Sequence, residues 1–115
     1  MAAQPRVLTT DAFSVALTEE SHPGIWVDGG WPTARAALLA DLGGAGVSVW
    51  EMTDGVVSDI ENDECLLILS GAGTVSFEDG ERIELGPGVC LRVHAGDRTE
   101  WTVLVTLRAL IVTSR

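Results

Sequence analysis

Positive charge is scarce in this chain: 7 basic residues stand against 17 acidic ones, for a formal net charge of -10, and the basic side chains are scattered singly. Such a surface repels a phosphate backbone or an anionic bilayer, which excludes nucleic acid and membrane as expected partners. Histidine is scarcer still. With only His22 and His94, three imidazoles cannot gather around one metal within a single chain. The two cysteines, Cys65 and Cys90, lack the spacing of a zinc knuckle or a redox CxxC pair, and are expected as small buried hydrophobes without a disulfide. No window approaches about eighteen apolar residues, the length of a membrane span. The segment "MAAQPRVLTTDAFSVALTEE" has no basic stretch followed by an apolar one, so a cytoplasmic location is the expectation.

What is present reads as one folded domain. The chain has 115 residues, 46% of them apolar and 21% charged, with no long polar run, linker or repeat. From Val47 onward the pattern alternates in twos and is punctuated by glycine. In "TVSFEDGERIEL", Val75, Phe77, Ile83 and Leu85 face one way and Ser76, Glu78 and Glu84 the other, with Asp79-Gly80 suited to a tight two-residue hairpin. "CLLILS" is apolar on both strand faces, since Leu66 and Ile68 share the side of Glu64 while Cys65, Leu67 and Leu69 share the opposite one. A strand of that kind must be covered twice, which points to a homodimer. "GPGVCLRVHAG" and "TEWTVLVTLRALIVTS" supply further β-branched strands. Against this pattern, "PTARAALLADLGG" carries alanine and leucine at helical spacing between a proline and Gly43-Gly44, and taken alone reads as a short helix over residues 33–42.

Two stretches carry a family resemblance. The spacing from Gly55 to Gly71, with Glu64 followed by six residues and a glycine, resembles the first cupin motif, G-x5-H-x-H-x3/4-E-x6-G. "GPGVCLRVHAGDRTEW" resembles the second, G-x5-P-x-G-x2-H-x3-N, with Gly88 and Gly96 at its glycines. "VSVWEMTDG" and "AGDRTEWTV" are most similar to the small ureidoglycine-aminohydrolase-like cupins, a group that also holds ethanolamine-utilisation cupins. The resemblance covers residues 29–112. It implies an all-β fold, a double-stranded β-helix or cupin jelly roll, which the many short strands and glycine turns also favour, and whose strands would override the helical look of residues 33–42. The expected organisation is residues 1–28 as an N-terminal arm, its first strand or strands packing on the barrel or on a partner, and residues 29–115 as the barrel.

In a metal-binding cupin the first motif supplies two histidines and a glutamate, and the second a third histidine. Carried onto this sequence, the first two histidine positions fall on Ser58 and Ile60, or on Val57 and Asp59 at the longer spacing, and the third falls on Thr99. Glu64 alone of the ligand set is retained, and His94 takes the second motif's proline position. No metal cofactor is therefore expected. The alternative is a divalent ion held through Glu64, with Asp59, Glu61 and Asp63 as further oxygen ligands. Against it, the same four carboxylates read as a solvated acidic turn opening a strand, because they lack the spacing of a dedicated loop.

Without a metal, the resemblance implies that Glu64 points into a barrel lined by Leu66, Ile68 and Trp101. Desolvation there raises its pKa unless a donor such as Thr99 or a cation such as Arg92 stabilises the charge. Trp50 and Trp101 are either an aromatic wall for a ligand or core packing. The interior candidates for ligand binding are thus Glu64, Thr99, Trp101, Trp50, Ser58 and Arg92, with His94 left as a turn residue and no catalytic residue assigned. The function expected is binding of a small polar organic molecule in the barrel. One alternative is a metal-dependent enzyme resembling ureidoglycine aminohydrolase, whose activated-water chemistry the missing histidines put in question. Another is a structural or regulatory homodimer with no ligand. The metal-free sugar epimerases of the same fold use a His-Asp pair with a tyrosine, and this chain has no tyrosine.

Overall fold

The structure, a computed structural model, describes residues 5–19, 25–26 and 32–114. Its regular elements are nine strands: β1 (Thr18–Glu19), β2 (Ile25–Trp26), β3 (Ala34–Asp41), β4 (Ala45–Met52), β5 (Gly55–Ile60), β6 (Glu64–Phe77), β7 (Arg82–Leu85), β8 (Cys90–Val93) and β9 (Arg98–Ser114). Among the described residues no helix is long and apolar enough to cross a membrane.

All strand pairs are antiparallel, and two long strands organise them. The second half of β9 pairs with β4, and the first half of β6 pairs with β8. The first half of β9 pairs with β5, and the second half of β6 with β7. Strands β6 and β9 also pair with each other along their length, with register shifts around Ser70 to Gly73. They therefore run through both layers: β1-β3-β4-β9-β6-β8 on one side and β2-β5-β9-β6-β7 on the other. This is the expected jelly roll. The bend needs glycine. Gly71 has φ +98°, and a Cβ placed on it would lie 2.2 Å from the Thr106 carbonyl oxygen, while one on Gly73 would lie 2.3 Å from that of Thr102.

The two layers enclose one core. Leu66, Ile68, Leu91, Val93, Leu107, Ala109 and Ile111 come from the first, and Val57, Val75, Leu85, Trp101 and Val103 from the second. Alternation places Val75 and Leu85 in the interior as the sequence predicts, and buries Leu91 and Val93 by the same rule.

One open reading is decided and two sequence expectations change. Residues 34–41 form strand β3, not a helix, and Gly43-Gly44 turns the chain into β4, with Gly43 at φ +84° and its N–H bonded to Asp41 Oδ1. Pairing with β4 along nearly the whole segment outweighs the alanine-rich propensity. The Asp79-Gly80 hairpin is a three-residue loop rather than a two-residue one. The Gly80 N–H bonds the Phe77 carbonyl, Glu81 closes onto the Phe77 N–H, and only Gly80 takes positive φ. Cys65 and Cys90 are free, as expected, but exposed rather than buried, because both lie on the outer face of β6 and β8.

On the outer face of β4 and β9 sits an ion network. Arg108, side chain 10% exposed, donates to Glu51 Oε2 at 2.9 and 3.2 Å, and Arg35 reaches Glu51 Oε1 at 2.5 Å. The same Arg108 donates to the carbonyls of Ala12 and Val15, fastening the N-terminal segment to the sheet. Burial alone would raise the Glu51 pKa, yet the two guanidiniums together hold it below its ordinary value.

Candidate functional site

At one end of the barrel the two layers part around a cavity of about 320 Å3. The first layer contributes Ser48 and Trp50 from β4, Glu64 from β6 and Thr113 from β9. The second contributes Val57 and Asp59 from β5 and Trp101 from β9. Strand parity dictates this set, because Asp59 opposes Thr99, Val57 opposes Trp101 and Glu64 opposes Thr113 in the ladders. The indoles of Trp50 and Trp101 approach from opposite layers, with ring centroids 6.2 Å apart and planes tilted by 58°.

The loop between β5 and β6 completes the lining with Glu61. Its backbone is pinned to the turn before β9: the Glu61 N–H bonds the Asp97 carbonyl at 2.9 Å and the Gly96 N–H bonds the Glu61 carbonyl at 2.9 Å. The side chain is thereby turned inward and buried, where Oε2 accepts from Thr99 Oγ1 at 2.5 Å and from Trp101 Nε1 at 2.9 Å. Desolvation pushes the Glu61 pKa up against those two bonds, and the charges of Asp59 and Glu64 push the same way. Desolvation likewise raises Glu64, opposed by the Thr113 hydroxyl donating to its Oε2 at 2.9 Å, and raises Asp59, opposed by the Ile60 N–H at 2.8 Å. Among the described residues no arginine or histidine lines the cavity.

The "DIENDE" stretch is thus divided rather than uniformly solvated. Asp59, Glu61 and Glu64 face inward, and Asp63 faces outward, 3.0 Å from Arg92 and 3.1 Å from the Ala95 N–H. The Ala95 N–H and the Arg92 guanidinium hold Asp63 below the ordinary carboxylate range.

Of the predicted site residues, Glu64, Trp50 and Trp101 line the cavity. Thr99 is buried beside it with its hydroxyl committed to Glu61. Arg92 does not enter the barrel: it alternates with the buried Leu91 and Val93 and points outward, bonding Asp63 and the carbonyls of Glu64 and Val93. Neither Arg92 nor Thr99 partners the Glu64 carboxylate. Thr113 does. Ser58 also lies outside, because β5 turns Val57 and Asp59 inward; it lines a surface groove with Ser76, Phe77, Arg98 and Glu100 that adjoins the cavity at Asp59 and Ile60. The longer motif spacing therefore applies, and Val57 and Asp59 stand at the first two histidine positions. His94 is exposed in the turn after β8, its N–H bonded to Asp97, and His22 lies outside the described residues.

Sequence reasoning named Glu61 only as an oxygen ligand of a divalent ion, not as a buried acceptor, and missed Thr113. A signal for Glu61 existed, since an inward Trp101 N–H and an inward Thr99 hydroxyl both require an acceptor. Thr113 gave no signal beyond its parity with Ile111.

The chain matches the family model of the EutQ-like cupin domain over residues 39–109, more than half its length. It is a cupin. No curated protein matches it. Among solved structures, this cupin resembles the EutQ protein of Clostridium difficile with 18% identity and a TM-score of 0.64, over 72% of this chain and 68% of that one. It resembles a protein of unknown function from Pseudomonas syringae pv. tomato with 23% identity and a TM-score of 0.78, over 90% of this chain but 46% of that one. It also resembles the ectoine synthase of P. lautus, with 17% identity and a TM-score of 0.62, over 77% of this chain and 67% of that one. These likenesses carry the fold. The residues do not fit the metal of histidine-bearing cupins: Val57 offers no donor, the Thr99 hydroxyl is spent on Glu61, and among the described residues no imidazole lines the cavity. Among the described residues, no three His, Cys, Asp or Glu side chains converge to hold a metal ion.

Proposed function

We propose that this cupin binds a small polar organic molecule in the barrel and does not carry out histidine-metal chemistry. One observation carries the reading. An open cavity of about 320 Å3 lies among the motif positions, walled by two indoles and lined with carboxylates and hydroxyls in place of imidazoles. That volume and that mixture of apolar wall and few convergent polar groups are those of small-molecule sites. A ligand-observed NMR screen of metabolites, with elemental analysis of untagged protein, tests it. The expected result is an organic binder that raises the melting temperature and no stoichiometric metal. A metal removable by chelator, with a fall in melting temperature, overturns it in favour of an enzyme resembling the metal-dependent ureidoglycine aminohydrolases.

Pairing of two copies is a separate part of the proposal, supported by the outward run of Cys65, Leu67 and Leu69 beside Leu110 and Val112. Sedimentation at micromolar concentration is expected to give a dimer, and a monomer overturns this part alone.

A further inference from the structure

The cavity has an electrostatic imbalance. Three carboxylates, Asp59, Glu61 and Glu64, line it, and among the described residues no basic side chain does. The nearby guanidinium of Arg92 is engaged outside the barrel with Asp63. Glu61 is satisfied by its two buried donors, whereas Asp59 and Glu64 each accept one hydrogen bond among the described residues. An ionised carboxylate has about four acceptor sites, so both retain capacity directed at whatever fills the space. A chain of net charge -10 adds to the negative potential instead of relieving it. An anion entering this space would meet like charge from Asp59, Glu61 and Glu64, with only the neutral Ser48, Asn62 and Thr113 as other polar side chains from the described strands and loop.

We propose that the cavity takes a small organic cation bearing N–H donors, an alkylammonium or alkylguanidinium, with its head at Asp59 and Glu64 and its alkyl part against Trp50 and Trp101. The inference rests on the ligand-binding reading above and specifies the chemistry of the ligand. Charge-assisted hydrogen bonds from the head are the strong kind, and the two tilted indoles offer faces that attract a cation. A polyatomic cation also suits the spacing: the acidic groups do not converge tightly enough for a bare metal ion, and the cavity has room for a head and a short tail. The hydroxyls of Ser48 and Thr113 are additional acceptors along the wall.

The test is a charge series of equal bulk, n-butylguanidinium, n-butylammonium, n-butanol and butyrate, titrated into the whole protein at pH 7.5 and followed by tryptophan fluorescence and calorimetry. The expected result is that both cations bind at least tenfold more tightly than butanol, that butyrate does not bind, and that Asp59→Asn and Glu64→Gln each weaken the cations several-fold without affecting butanol. Because either variant can disturb packing, the wild-type protein is also titrated at 50 and 500 mM salt, where the cations are expected to weaken several-fold and butanol is not. Binding of butanol or butyrate as tight as that of the cations overturns the charge selection and leaves the ligand-binding reading intact. Failure of all four to bind overturns the inference; it reaches the broader reading only if the metabolite screen is also empty.

Discussion

Glu61 is the residue on which the interior turns. Its carboxylate is buried and bound by Thr99 and Trp101, yet faces two other acids rather than a cation. Replacing Trp101 with phenylalanine keeps most of the ring volume and removes one donor, at an expected cost of about 1–2 kcal/mol in urea unfolding at pH 7. Glu61→Gln keeps an acceptor for both donors and removes the charge, so we expect equal or higher stability at pH 7. The pKa values of Asp59, Glu61 and Glu64 are all raised in the folded protein, so it binds more protons than the unfolded chain between the ordinary and the raised values. Stability therefore rises as pH falls through the raised values toward the ordinary carboxylate range. Below that range Glu51, which is held down, takes up its proton and stability falls. Melting temperature measured from pH 8 to pH 3 is expected to peak on the mildly acidic side, and Glu61→Gln is expected to flatten the neutral-to-acid rise. A monotonic fall from pH 8 downward would contradict this. The partners responsible lie far off in sequence, Glu61 with Thr99 and Glu64 with Thr113. That is why the acidic stretch could be located in the sequence but its division into three inward groups and one outward group could not.

At the scale of elements, the strands from β4 onward were legible because alternation and β-branching agree there. Strand β3 was not, because its alanines and leucines fit a helical pattern equally well and only the partner strand decides. The glycine framework was legible as spacing, and the structure supplies its cause. Gly71 combines positive φ with a neighbouring backbone that leaves no room for a Cβ, whereas Gly80 has positive φ in open space. Gly80→Ala is therefore expected to cost about 1–2 kcal/mol from the left-handed backbone alone. Gly71→Ala is expected to cost clearly more, or to prevent folding, as read by thermal denaturation of the two variants side by side. Equal losses would mean that the close crossing of β6 and β9 is not what requires glycine at Gly71.

For the whole molecule, the N-terminal segment reaches the sheet through the β1–β3 pairing and, at residues 12–15, through one side chain. Arg108 neutralises Glu51 and also holds the carbonyls of Ala12 and Val15. Arg108→Met leaves Glu51 to Arg35 alone; removing one partner of a buried ion pair typically costs about 3–5 kcal/mol, and the partly exposed Arg35 reduces that here. Limited proteolysis is expected to cut near residues 11–15 in the variant before the barrel is attacked. Simultaneous cleavage of arm and barrel would show that the arm is not held by this contact.

Because β6 and β9 each belong to both layers, neither layer is a unit that can come apart and leave the other standing. Pulling the β4 side open removes a strand from the β5 side as well. The molecule should accordingly lose its structure in one cooperative step, and the slowest-exchanging amides on both sides should share a single opening free energy. Ligand entry into the cavity is then left to side-chain and loop motion at the open end, since the walls themselves cannot spread.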